Sequence, residues 1–540
     1  MFDFDDLDEK EDTPQVEELT SKEGTTGSAP ASCHAALEGP RPAWVPPSSS
    51  SRRRRLRQLP PFQPLGKERG EAPGEWYGLH FPIGLKALRK AGPRWLTKAF
   101  HAAGTLPASN FVEAITRWSE LPTSGPELAG GAGVKVCFSV RYARPDPELH
   151  ESLFCKMPWP FSSGSDGPRP LPGAERISGD DAHRAELSNG LWGRDGDALE
   201  LSAHVFLEPL LPVRTPKCYF ADISRRTTNY ILITEQIPFG SLDCGSKRSI
   251  LPAVGKYYDC TLRNPEEYYY ALFAAQARIA GYDKLGRYNE HAEVFSPWPP
   301  KAPGPVTAQA RRMRGMTAKR AAESGSEFAS TLAPLLFPAD AREPAFLERL
   351  VGELAFCGQY AQDIANYQMA DLDYVALVHA NLCVDNAFFW RDEGGLLDCG
   401  LIDWFATGRT PFGMNLWMCL IPAPPETFAG HVEGLCRCFA AEYARHGGPA
   451  IPADALLERL YLAMISQVAL AGGGLATHVF PRVRREAWPD IEHFMDERVQ
   501  SDILVRCVVL NVIHGYTSWA RNDFVQLLKA WLVKQHITEN

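Results

Sequence analysis

The sequence has no long uninterrupted apolar run. Its nearest approach to a membrane span, 463–480, is interrupted by Ser466, Gln467, Thr477, His478 and three glycines, which suits a helix end in a globular lobe. The opening residues, MFDFDDLDEKED, are acidic and have neither the basic nor the apolar region of a secretory signal, so no leader is expected. Paired cysteine spacing is also missing: the 13 cysteines are scattered. They are expected as reduced thiols, mostly buried as small apolar groups. No Cys/His cluster has zinc spacing, and no internal repeat is found. Positive charge is in deficit. A net charge of -9 and a pI near 5.9 argue against bulk nucleic-acid binding.

What is present is length and apolar content. At 540 residues and 45% hydrophobic, the chain can build a sizeable core in more than one domain or in two lobes. Residues 1–74 are acidic, then Ser-, Gly- and Pro-rich, then basic at Arg52-Arg53-Arg54-Arg55, and are expected to be a disordered tail. The Arg run reads as a nuclear-import signal, an anionic-lipid contact or a plain solvated tail. A cytoplasmic protein is expected, with nuclear entry through that run. The tail is also the place for a protein partner.

The chain is organised around 375–420. Val375-Ala376-Leu377-Val378 has the length of a short buried strand. A polar loop follows, from His379 through Asn381 and Asp385 to Asn386. Ala387-Phe388-Phe389-Trp390, a turn at 391–395 and Cys399-Gly400-Leu401-Ile402 then read as strands, the last ending on Asp403-Trp404. Asn386 and Asp403, at different strand ends, could share one cation. Mg2+ suits few protein oxygens with phosphates and water making up the rest.

This passage resembles the protein-kinase-like phosphotransferases of small molecules: the aminoglycoside phosphotransferase, choline kinase and ecdysteroid-kinase-like group. Those proteins read His-Gly-Asp, four residues, Asn, then a hydrophobic strand ending in Asp. Here His379, Asn386 and Asp403 match. Ala380 stands for the Gly, and Asn381 for the Asp that accepts the proton of the substrate hydroxyl. The resemblance implies an α+β, bilobal fold: a small antiparallel-sheet N-lobe of five strands over 75–240 and a larger helical C-lobe over 241–540. It implies ATP and Mg2+ as cofactors and a small-molecule substrate. His379, Asn381 and Asp385 are the candidate catalytic residues, and Asn386 and Asp403 the candidate metal ligands.

Several N-terminal stretches take places in that scheme. Leu85 to Lys90 and Trp95 to Ala103 have helical spacing, split by Gly92-Pro93. Phe111 to Trp118 and Val134 to Tyr142 alternate as strands around a Gly-containing loop. Gly130, Gly131 and Gly133 there would let backbone approach phosphates. Lys156, on the strand 153–157, falls where the family places its phosphate-binding lysine. Glu200, on a helix, is the expected partner of Lys156, with Glu208 second and Glu186 weaker. Glu235, Gln236 and Ile237 end a buried strand and match the hinge, whose backbone meets an adenine edge.

Farther on, Pro265 to Ala280 reads as a helix, 296–325 as a Pro-rich then basic loop or insert, and Phe346 to Met369 as one long helix. Further amphipathic helices are expected at 455–471, 499–513 and 524–533. Asp490, Glu492 and Asp496 are solvated acids or an attraction for a cationic acceptor.

Two functions compete. One is transfer of the ATP γ-phosphate to a small hydroxyl-bearing molecule, weakened by the amide at 381, because an amide takes up no proton near neutral pH. Asp385 would then substitute as base through a water. The alternative is a pseudokinase that binds nucleotide or a protein partner as a scaffold. An unrelated α/β enzyme would require the order of Lys156, Asn386 and Asp403 to be coincidence.

Overall fold

The computed structural model describes residues 37–39, 72–122, 133–158, 196–224, 226–227, 229–243, 248–295, 306–405 and 407–538. Gly130, Gly131, Glu186 and the insert 159–180 lie outside them.

The N-terminal lobe is one five-stranded sheet, antiparallel throughout, in the order β1-β2-β3-β5-β4. Its strands are β1 (Val112–Glu120), β2 (Val134–Tyr142), β3 (Ser152–Met157), β4 (Cys218–Ser224) and β5 (Asn229–Glu235). Strand alternation assigns its faces. Val134, Val136, Phe138 and Val140 of β2 join Leu153, Cys155 and Met157 of β3 in a core closed by helix α1 (Leu85–Ala103). The helix runs through a kink at Gly92, whose φ of 63 only glycine adopts cheaply, with Pro93 restarting the helix. The opposite face carries Lys135, Cys137, Phe154 and Lys156. Helix α2 (Gly196–Ser202) continues as a π turn, Ala203–Leu207, and packs Ala198, Leu201, Val205 and Phe206 against β4 and β5.

The lobe's entry segment is pinned by Asp222 on β4. Its carboxylate accepts from the backbone N–H of Trp76 (3.0 Å), Tyr77 (3.2 Å) and Ile223 (2.9 Å). Burial pushes its carboxyl up to about 7 even though these N–H groups oppose the shift. A Cβ at position 74 would lie 2.0 Å from Asp222 Oδ2, so the glycine admits the carboxylate.

The C-terminal lobe is helical around a single large core. It is built on α3 (Pro265–Lys284), α4 (Ala308–Glu327), α5 (Pro344–Gln359), α6 (Ala361–Ala370), α7 (Phe412–Leu420), α8 (Pro425–Arg445), α9 (Ala453–Ala471), α10 (Ile503–Arg521) and α11 (Phe524–Lys534). Helix α10 is the one described helix long and apolar enough to cross a membrane by length and composition, and 56% of its apolar window is buried in the lobe. Three two-stranded pieces face the sheet lobe. They are β6 (Leu242–Asp243) with β7 (Arg248–Ser249), β8 (Val375–Val378) with β11 (Gly408–Pro411), and β9 (Ala387–Arg391) with β10 (Leu397–Leu401).

Two expectations need correction. The basic end of 296–325 is helix α4, not loop. Its buried stripe is Gly315, Ala318, Ala321, Ala322 and Gly325, a helical period written in small residues that a search for large apolar ones passes over. The single helix expected from Phe346 to Met369 breaks at Tyr360 into α5 and α6. Within the N-terminal segment, Leu37 packs on the helical core, and Glu38 pairs with Arg437 through Nε (3.0 Å) and Nη2 (2.9 Å).

Removing the Asp222 carboxylate leaves three N–H groups without their acceptor. Asp222→Ala should lower stability by about 1–3 kcal/mol in chemical denaturation. An unchanged midpoint would show that the entry segment does not rest on it.

Candidate active site

The site lies between the two lobes. On β3, Leu153, Cys155 and Met157 turn into the sheet core, so alternation turns Lys156 towards the helical lobe. Glu200 meets it from α2, with Nζ to Oε2 at 2.6 Å, and both residues are 3% exposed. Burial by itself would lower the lysine's pKa. Glu200 and Asp403 outweigh it and hold the ammonium protonated, well above the ordinary lysine value. Glu208, the second candidate partner, instead accepts from the Cys218 N–H at 2.9 Å. Helix α2 starts on the segment that follows Asp403, because Gly196 lies where a Cβ would meet the Phe405 ring at 2.1 Å.

Asp403 completes the cluster from the end of the β9–β10 hairpin. Its Oδ1 accepts from Lys156 Nζ at 3.3 Å, and its Oδ2 from Asn381 Nδ2 at 3.0 Å. Its backbone has φ 57, a conformation strained for aspartate and common at functional sites. Burial raises its pKa, but the charges of Lys156, Lys256 and Lys135 prevail and hold it at about 2. Asn386 lies beside it: its backbone O accepts from Ile402 N at 2.9 Å, and its Nδ2 donates to Asn381 O at 2.7 Å. Asn386 therefore has only Oδ1 left for a cation. Asp403 already satisfies two protein donors. Each Asp403 oxygen keeps a second lone pair, so with Asn386 Oδ1 the site offers a divalent cation few protein ligands, as suits one that takes the rest from phosphates and water. Among the described residues, no group of three or more His, Cys, Asp and Glu side chains could hold a metal.

His379 does not face the cleft. Its ring is fully buried, edge-on to Trp404 at 4.8 Å, and its Nε2 lies 2.8 Å from Ile402 O, so Nε2 is the protonated nitrogen. Burial lowers its pKa to about 4. It positions the strand leading to Asp403 and, neutral and turned away, it is no general base. Asp385 Oδ2 accepts from Lys256 Nζ at 3.0 Å. Gly133 has φ 76, and a Cβ there would lie 2.2 Å from Met157 O, so this glycine serves close approach of the loop to β3. At the hinge, Glu235 N–H and Gln236 N–H are spent on the carbonyls of Lys217 (2.9 Å) and Ser152 (3.0 Å). Of the hinge carbonyls, Glu235 O accepts from Thr234 Oγ1 and Ile237 O from Phe239 N, each at 3.0 Å. Asp496 is occupied by Arg498 at 2.7 Å and caps a short helix, which removes it as an attraction for a cationic acceptor.

Four supports escaped sequence reasoning. Lys135 stands across from Lys156 in the β2–β3 register, and its place in the alternation of VKVCFSV was the available signal. Lys256 comes from the loop before α3 and carries no local signature. Arg214 ties the hinge to the hairpin: Nη2 meets Glu235 Oε1 and Nη1 meets Asp243 Oδ2, each at 2.7 Å, and its backbone O accepts from Leu401 N at 2.9 Å. The amides of Gln276 and Asn415 bond each other and hold both backbone groups of His379, with His379 N to Gln276 Oε1 and Asn415 Nδ2 to His379 O each at 3.1 Å.

The sheet order, the β3 lysine paired with a helical glutamate, and the helical lobe with its Asp-ended hairpin define an α+β bilobal fold. No family model matches the chain, and no curated protein matches it. Among solved structures, it is similar to choline kinase from Cryptosporidium parvum Iowa II at 10% identity and TM-score 0.31, covering 78% of this chain and 91% of that one. It is similar to the amicoumacin kinase hAmiN, solved with AMP-PNP and Ca2+, at 14% identity and TM-score 0.33, covering 68% and 90%. A putative aminoglycoside phosphotransferase from Ralstonia eutropha JMP134 gives 13% and 0.34, with 74% and 94% covered. Superpositions this loose carry none of the functional reading, which rests on the cleft.

The buried neutral histidines contribute to the acid behaviour of the fold, against Asp222, whose raised carboxyl favours the folded state as pH falls. Burial lowers His379 and His514 from 6.5 to about 4 in the folded state. The unfolded chain takes up these protons first, so their contribution is complete above pH 6.5 and is lost as pH falls towards 4. Each histidine contributes at most about 3 kcal/mol to that loss. His379→Gln should make the fall shallower in denaturation titrations, and an unchanged slope would contradict the assignment.

Proposed function

We propose that the chain binds ATP between its lobes and slowly transfers the γ-phosphate to a small hydroxyl-bearing molecule. The observation that carries this reading is the buried Lys156–Glu200 pair aimed at Asp403. Two ions withdrawn from water at a lobe boundary stabilise little, so their use is to hold a cation where phosphates arrive. Asn381 sits where the acceptor hydroxyl must lose its proton and can only orient it. Loss of a general base costs on the order of 100- to 10,000-fold, towards the low end where a loose transition state moves the proton late. Asp385 is committed to Lys256, so water is the proton's first destination. The Mg2+ expected from the sequence belongs to this proposal. Asn386 Oδ1 and the remaining lone pairs of the Asp403 carboxylate would hold it.

The second reading, a pseudokinase that binds nucleotide without transfer, is favoured by the hydrogen bond from Asn381 to Asp403.

Single-turnover transfer from labelled ATP to a broad pool of alcohols and amines tests both. Wild type should transfer slowly, Asn381→Asp faster, and Lys156→Met should lose about tenfold or more. No transfer by wild type or by Asn381→Asp to any acceptor, with nucleotide still bound, would favour the scaffold.

A further inference from the structure

We propose that the interlobe cleft holds the polyphosphate of a nucleotide by its own lysine charges, with little need of a divalent cation. The inference rests on the nucleotide-binding reading above and specifies what recognises the phosphates.

The first ground is the number of cations. Lys135 of β2 and Lys156 of β3 are directly opposed across the sheet and share the face turned to the cleft. Lys135 lies close enough to Lys156, Glu200 and Asp403 to feel all three charges. Lys256 reaches in from the helical lobe to Asp385 at 3.0 Å and acts on Asp403 as well. Three lysines thus meet three carboxylates, and the bare cleft is close to neutral.

The second ground is the amide at 381. An aspartate there would put a fourth carboxyl at hydrogen-bond distance from Asp403, and two carboxylates that close are stable only with a cation or a shared proton between them. Asn381 offers Asp403 an N–H instead, at 3.0 Å. The amide therefore does between these two side chains what a metal ion does between two carboxylates. Asn386 is drawn into the same arrangement, because its Nδ2 holds Asn381 O. A nucleotide polyphosphate entering this cleft meets the adjacent ammonium groups of Lys135 and Lys156, and no excess negative charge on the protein that a metal must first neutralise.

The test is calorimetric titration of ATP into the full chain, in EDTA and in Mg2+, with Lys135→Met and Asn381→Asp beside wild type. The wild-type Kd should differ by less than about threefold between the two buffers. Lys135→Met should weaken binding about tenfold in both buffers, the size of one charge-assisted contact, and Lys135→Arg should restore it. Asn381→Asp should bind about tenfold more weakly in EDTA and recover in Mg2+. Thermal melts accompany each variant, so that loss of binding is counted only for folded protein. Wild-type binding that EDTA weakens more than about tenfold would overturn this inference and leave the nucleotide reading intact. Folded wild type that binds ATP in neither buffer would overturn the nucleotide reading itself, and this inference with it.

Discussion

The buried ion pair of Lys156 and Glu200 constrains the rest of the site. Each charge, taken from water alone, costs several kcal/mol, and only close pairing offsets that cost. Helix α2 must therefore lie where Glu200 meets β3, and the sheet must face the helical lobe along that line. The placement is reinforced from below by Phe405, which fills the space Gly196 leaves open at the start of α2. Asp403 shares the lysine at 3.3 Å, so one cation links a strand, a helix and the hairpin of the other lobe.

The loop opposite is held by neutral groups. Gln276 and Asn415 clamp the backbone of His379, and His379 clamps Ile402, one residue before Asp403. This chain of buried amides and a neutral imidazole supplies fixed hydrogen bonds without adding charge beside the cluster. Arg214 performs the joining task at the hinge, where its guanidinium bridges Glu235 and Asp243 while its carbonyl pairs with β10. The strained backbone of Asp403 is affordable because both its neighbours in the chain and its carboxylate are tied.

Charge, not geometry, distinguishes this cleft. A lysine, a glutamate and an aspartate stand as the proposed phosphate site requires, yet the position expected to hold a base holds an amide that bonds inward. An amide rather than a carboxylate at 381 makes the cleft less acidic and gives Asp403 a protein partner. Both proposed functions turn on that same group: slow transfer where the amide yields, nucleotide binding alone where it does not.

The strands of the sheet lobe were legible because VKVCFSV and its neighbours alternate, and the helices because large apolar residues recur at helical spacing. The family resemblance singled out Lys156, Asn386, Asp403 and Glu200, and the structure brings Lys156, Glu200 and Asp403 into contact. Helix α4 was missed because its period is carried by glycine and alanine. His379 matched a motif letter, and only burial among Gln276, Asn415 and Trp404 shows that it supports the loop from behind. What one sequence determines is local: periodicity, turn chemistry, and the order in which polar groups arrive at strand ends. The tertiary structure alone decided that Asn381 bonds Asp403 across 22 residues and that Lys256 meets Asp385 across 129. It also decided that Lys135 stands beside Lys156. Such contacts depend on strand register and lobe docking, which the whole core sets and no short stretch encodes.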